Sequence, residues 1–143
     1  MTDAMGSLIQ IASAALAINN AVETVRRNKD ECLAIEKLVG RVSALITRLK
    51  ETDTINEPEM DGPLEDLAEA LNSSLKLVKS CQKRSIMCLF CYASDLSIQL
   101  RQARDDISTK MMLGVLATNI QFTVFFTRIQ RIGPTPMHAY THR

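Results

Sequence analysis

The stretch GPLEDLAEALNSSLKLVKSCQKRS, from Gly62 to Ser85, decides the fold. Asp61 or Gly62 can cap a helix N-terminus, and Pro63 suits the first helical position, where a missing N–H removes no bond. Glu65 and Asp66 then meet the positive end of the helix dipole, and Lys79, Lys83 and Arg84 meet its negative end. Between them Leu64, Leu67, Leu71, Leu75 and Val78 recur at steps of three and four residues, which is one stripe of a helix. An amphipathic helix buries its stripe only against other elements, so the rest of the chain must supply them.

Upstream lie two more helical patterns. The first spans about Asp3 to Arg27 and carries no charged residue from Ala4 to Val22. Leu8, Ile11, Ala15, Ile18, Val22 and Val25 form its stripe, and Ser7, Ser13, Ala14, Ala17 and Asn20 make the other side small or amide-bearing. A membrane span needs about 20 strongly apolar residues, and Ser, Gln and Asn dilute this one, so a core helix with an uncharged outer face is the plainer expectation. The second pattern runs from about Lys29 to Glu51. Cys32, Ile35, Val39, Val42, Ile46 and Leu49 alternate steps of three and four, with Leu38 and Leu45 widening the stripe and Lys37, Arg41 and Arg48 on the solvated side. An acidic loop, TDTINEPEMDG, joins it to the third helix.

Downstream, RSIMCLFCY (Arg84–Tyr92) is almost wholly apolar without helical period and reads as a buried corner. Ser94 and Asp95 cap a fourth helix, with Leu96, Leu100, Ala103 and Ile107 inward and Gln99, Arg101, Arg104 and Asp105 outward. From Met111 to Ile132 the chain is apolar and helical, either as a continuation or as a fifth helix with Gly114 at the break. Phe122, Phe125 and Phe126 point to several sides of it and leave apolar surface for a partner. Gly133, Pro134 and Pro136 close the ordered domain (1–132), and 133–143 is a flexible tail.

Composition agrees with an all-α fold. The 143 residues are 46% hydrophobic and 23% charged, with 4% aromatics, five Gly and no Trp, too few turn residues and aromatics for a sheet protein. The net charge of +1 gives no bulk case for nucleic acid. The charges are nevertheless segregated: eight acids and no Lys or Arg from Glu51 to Glu69, then ten Lys or Arg against three acids from Lys76 onward. This polarity suits orientation on a partner or an anionic membrane, although charge runs are commonly just solvated.

Catalytic constellations are lacking. Cys88-x-x-Cys91 is the one motif with chemistry behind it, but zinc needs four ligands, and His138 and His142 sit in the tail. Leu89 and Phe90 make its surroundings apolar, which favours inert thiols, so it is a weak thiol site; Cys32 and Cys81 complete a set of four free cysteines. Glu65–Asp66 and Asp105–Asp106 are sequence neighbours that point about 100° apart on a helix and form no dyad. There is no Gly-rich phosphate loop and no His beside a nucleophile. No cofactor, metal or enzymatic activity is expected.

The run Pro63-Leu64-Glu65-x-Leu67-x-x-Ala70-Leu71, followed by Leu77-Val78-x-Ser80-Cys81-x-x-Arg84-Ser85, resembles the helical N-terminal module of plant MID1-complementing-activity proteins. Asn28-Lys29-x-x-Cys32 and Gln99-x-Arg101-x-Ala103-x-x-Asp106-Ile107 extend the resemblance over Leu8 to Leu113. The module is also similar to the N-terminal bundles of plant mixed-lineage-kinase-domain-like (MLKL) proteins and to the helical domain before some plant U-box ligases. The resemblance implies an up-down four-helix bundle of HeLo type with an additional C-terminal brace helix, in a cytoplasmic protein peripheral at the plasma membrane. It implies a non-enzymatic immune or cell-death signalling module that associates with itself and with anionic membrane. Leu8, Ile11, Ala15 and Ile18 of the uncharged first helix are then the candidate membrane and oligomerisation residues. The alternative is a soluble adaptor that binds another signalling protein through Phe122, Phe125 and Phe126. A third reading, a calcium-influx component, needs an acid in an N-terminal membrane segment, and Asp3 is the only acid before Glu23.

Overall fold

The computed structural model describes residues 4–82 and 95–117, and four helices account for most of them. They are α1 (Ala4–Val22), α2 (Lys29–Glu51), α3 (Asp61–Ser80) and α4 (95–117), with two 3-10 turns, Thr54–Asn56 and Pro58–Met60, between α2 and α3. No strand occurs among the described residues.

Directions follow from the contacts at the helix ends. Just beyond α1, the Arg26 and Arg27 N–H groups both donate to the carbonyl oxygen of Cys81, at 2.9 and 3.2 Å, at the end of α3. Gln82 Nε2 donates back to the Ala21 carbonyl at 3.2 Å and to the Thr24 hydroxyl at 2.7 Å. So α1 and α3 run the same way. Cys32, in the first turn of α2, lies against Cys81, so α2 runs opposite to both. Arg101 of α4 pairs with Glu31 at 3.5 Å, while Met111 and Gly114 share a crevice with Leu45, Leu49 and Leu64; α4 therefore runs with α2.

Among α1, α2 and α3 the most extensive pairing is α1 on α3. Ala14, Ala15, Ala21 and Ser7 of α1 and Ala68, Ala70 and Ser74 of α3 are all buried, and small side chains of this kind let helices approach closely. Ile18, Ile35, Leu71, Leu100 and Ile107 fill the core between the helices. The stripes of α2, α3 and α4 fall where their periodicity predicts, with Leu75 and Ala103 at the margin.

Three boundaries differ from expectation. The first helix stops at Val22 rather than Arg27, because Cys81 of α3 takes the Arg26 and Arg27 amides that would have continued it; Asn28 then turns the chain with φ 52°. The third begins at Asp61, running directly out of the second 3-10 turn, which places Pro63 at its third residue. That N–H would also lack an intrahelical partner, so proline is tolerated there. The acidic connection is built rather than open, with Ile55 and Met60 buried in the core. Gly114 marks no break: α4 continues through it to residue 117. The expected corner at 84–92, the brace helix and the tail lie outside the described residues.

Candidate functional site

Among the described residues, the outer surface of α1 stands out as an uncharged exposed helix face. Its inner stripe is in the core, with Ile11 2% and Ile18 0% exposed, Ala15 buried and Leu8 half-buried. The four residues singled out from the sequence therefore mostly face inward. Turned outward are Met5, Ile9 and Leu16, 65%, 62% and 63% exposed, together with Ala12, Ser13, Asn19 and Asn20. Met5, Ile9, Ala12 and Leu16 fall at steps of four, three and four and so make one continuous line. The helix is long and apolar enough to cross a membrane by length and composition alone. Periodicity could not find this line because α1 is apolar on both sides: only packing against α3 decides which side is inner.

A second apolar surface lies on α4. Met112, Leu113, Val115 and Leu116 are exposed, and Leu113, Leu116 and Ala117 line a groove of about 370 Å³ with Pro63, Asp66 and Lys110. The candidate partner residues Phe122, Phe125 and Phe126 lie outside the described residues, as do Cys88 and Cys91.

The third feature, missed by sequence reading, is a pair of thiols. Cys32 and Cys81 are both free and fully buried. The Cys32 thiol donates to the Cys81 sulfur. That bond, and then burial, push Cys32 far above the ordinary thiol range. The same bond pulls Cys81 down against its own burial, aided by the Asn28 amide and the Arg27 charge beside it. Arg27 is held in place by a 2.9 Å bond from Nη2 to the Ser80 carbonyl. A spacing of 49 positions carries no local signal; only the packing of α2 on α3 brings the two together.

Among the described residues no three His, Cys, Asp or Glu side chains converge to hold a metal ion. Glu65, Asp66, Asp105 and Asp106 are all exposed, and Asp106 is engaged with Lys110 at 3.5 Å along its own helix.

The fold and its surfaces define a helical module that offers apolar faces for contact. The profile of the MCAfunc domain matches residues 15–141, and the chain belongs to that family. It is similar to Cell number regulator 13 of Zea mays, 29% identical over 115 residues, which is 80% of this chain and 27% of the maize protein. It is also similar to two Arabidopsis thaliana proteins. MID1-COMPLEMENTING ACTIVITY 2 is 30% identical over 63% of this chain and 22% of its own length, and MID1-COMPLEMENTING ACTIVITY 1 is 30% identical over 71% and 24%. The chain thus spans about a quarter of these curated relatives. No solved structure matches it. The family match begins at Ala15, so Met5, Ile9 and Ala12 precede it.

Proposed function

We propose that this domain is a non-catalytic regulatory module that settles on an anionic membrane through the outward face of α1 and self-associates there. The observation that carries the reading is the uncharged surface of α1, with Met5, Ile9 and Leu16 each more than three-fifths exposed. A soluble helix of this length normally turns charged residues to water. The chain leaves α1 into Arg26 and Lys29, both exposed, which supplies cations for anionic headgroups at one end of that face. The names of the relatives, a cell number regulator and MID1-complementing proteins, are those of regulators rather than catalysts and support the non-enzymatic reading. An up-down bundle of HeLo type, an immune or cell-death output and a place at the plasma membrane belong to the same proposal. A calcium-influx role has less support, because α1 carries no acidic side chain from Ala4 to Val22.

Co-flotation of the chain with anionic and neutral liposomes tests it, with light scattering for mass. Binding to anionic vesicles with a rise in mass is expected, and the pair Ile9→Glu and Leu16→Glu should abolish it without unfolding. Unchanged flotation of the folded double variant would sink the mechanism.

The α4 surface supports a second reading, an adaptor that seats a partner's apolar segment in the Pro63–Lys110–Leu116 groove. It predicts a chain indifferent to lipid whose partner binding is lost on Leu116→Glu.

A further inference from the structure

We propose that Cys32 and Cys81 form a peroxide-reactive site in which a disulfide closes between the first turn of α2 and the end of α3. The Cys81 carbonyl sits on the turn that leads into α2, Cys32 lies in the first turn of that helix on the side of Cys81, and both residues are fully buried. Each is anchored on its backbone. The Cys32 N–H donates to the Asn28 carbonyl at 3.0 Å, and the Cys81 N–H donates to the Val78 carbonyl at 3.0 Å. The Cys81 carbonyl takes two amides from the α1–α2 turn, from Arg26 and Arg27. The pair is thus placed where three chain segments are tied together, and a covalent bond there would pin all three.

The two thiols are not equivalent, and their surroundings assign the steps. Cys81 has a donor on its sulfur from Cys32, the Asn28 amide beside it and the Arg27 guanidinium nearby, all of which favour its thiolate. Cys32 keeps its proton and resolves the intermediate. The Cys81 thiolate attacks one oxygen of hydrogen peroxide. The O–O bond breaks, a sulfenic acid forms on Cys81, and the departing hydroxide becomes water. The Cys32 sulfur then attacks the Cys81 sulfur. The S–S bond forms, the S–O bond breaks, and the hydroxyl leaves as a second water with the proton of Cys32. Two thiols lose two electrons, and one peroxide becomes two waters. Entry of the oxidant needs only opening at the helix ends, where local stability is lowest. A small peroxide therefore reacts ahead of a bulky disulfide such as oxidised glutathione.

Peroxide treatment of the folded chain, followed by alkylation under denaturing conditions and peptide mapping, tests the inference. A linked Cys32–Cys81 peptide is expected, and it should persist in the double variant Cys88→Ser, Cys91→Ser. In Cys32→Ser, Cys81 should accumulate as a sulfenic acid that dimedone traps. In Cys81→Ser, peroxide-dependent loss of the Cys32 thiol should fall by about tenfold or more, since no sulfenic acid forms on Cys81 for it to attack. Circular dichroism keeps the readings on folded protein. If Cys32 and Cys81 are both recovered as free thiols while the other cysteines are consumed, or if they link only once the chain is unfolded, the pair is core filling and the inference fails.

Discussion

Ser7 in α1 and Ser74 in α3 are the polar side chains buried in the described core. Both are fully buried, and neither hydroxyl has a hydrogen-bond partner. A buried hydroxyl without a partner forfeits about 1–3 kcal/mol of solvation. Ser74→Ala keeps the size and removes the orphan. It is expected to stabilise the fold by about 1 kcal/mol, read as a rise of about 4 °C in the thermal midpoint. A fall in the midpoint would mean that the hydroxyl is bonded in solution. Leu71, one turn of α3 earlier and fully buried, provides the contrast. Leu71→Ala opens a cavity and should lower stability by about 3 kcal/mol, measured by urea unfolding. The thiol pair belongs to this scale too: each cysteine behaves as a small core residue until an oxidant reaches it.

At the scale of elements, helices with one wet side were legible from their sequence and the helix without one was not. In α2, Lys37, Arg41 and Arg48 declare the outside, and Cys32 through Leu49 fall inside as their spacing predicts. In α4, Leu100 and Ile107 are buried and Arg101, Arg104 and Asp105 exposed for the same reason. In α1 no charge breaks the tie between two apolar sides, so periodicity points to Leu8, Ile11, Ala15 and Ile18, which the core mostly claims. The ends of elements were hidden for a different cause. The carbonyl that stops α1 belongs to Cys81, distant in sequence, and the two 3-10 turns depend on burying Ile55 and Met60. Two outcomes separate the sides of α1. Ile11→Glu places a charge in the core and should unfold the domain, whereas Ile9→Glu should leave the midpoint within about 0.5 kcal/mol of the parent. Equal damage from both would mean that the outer line is covered in solution. Gly40 offers a gain in α2: it is exposed in mid-helix with nothing near the place a Cβ would take. Gly40→Ala should add about 0.5–1 kcal/mol, seen as a higher urea midpoint.

Across the whole molecule, charge and covalent options are arranged end to end. The acids from Glu51 to Glu69 gather where α2 ends and α3 begins, beside Arg48 and Lys50, while Arg26, Lys29, Lys76 and Lys79 lie at the end where α1 and α3 finish, together with Glu23, Asp30 and Glu31. The thiol pair sits at that second end, beneath the turn that carries Arg26 and Arg27. Binding to anionic vesicles through those cations should therefore weaken as salt shortens the reach of exposed charges, and the Ile9–Leu16 line should supply the part that salt leaves. Oxidation acts on the same end by a different route. A bond between Cys32 and Cys81 closes a loop of roughly fifty residues, which in the chain-entropy account disfavours the unfolded chain by about 4 kcal/mol. The oxidised chain is expected to unfold at clearly higher urea than the reduced chain, with a smaller slope because its unfolded state stays more compact. Reduction should restore the original curve, and Cys32→Ser, in which oxidation stops at a sulfenic acid on Cys81, should show no such gain. An oxidised chain that is linked between Cys32 and Cys81 yet no more stable would place the bond in a distorted bundle. The end that holds α1, α2 and α3 together would then be opened by oxidation instead of locked.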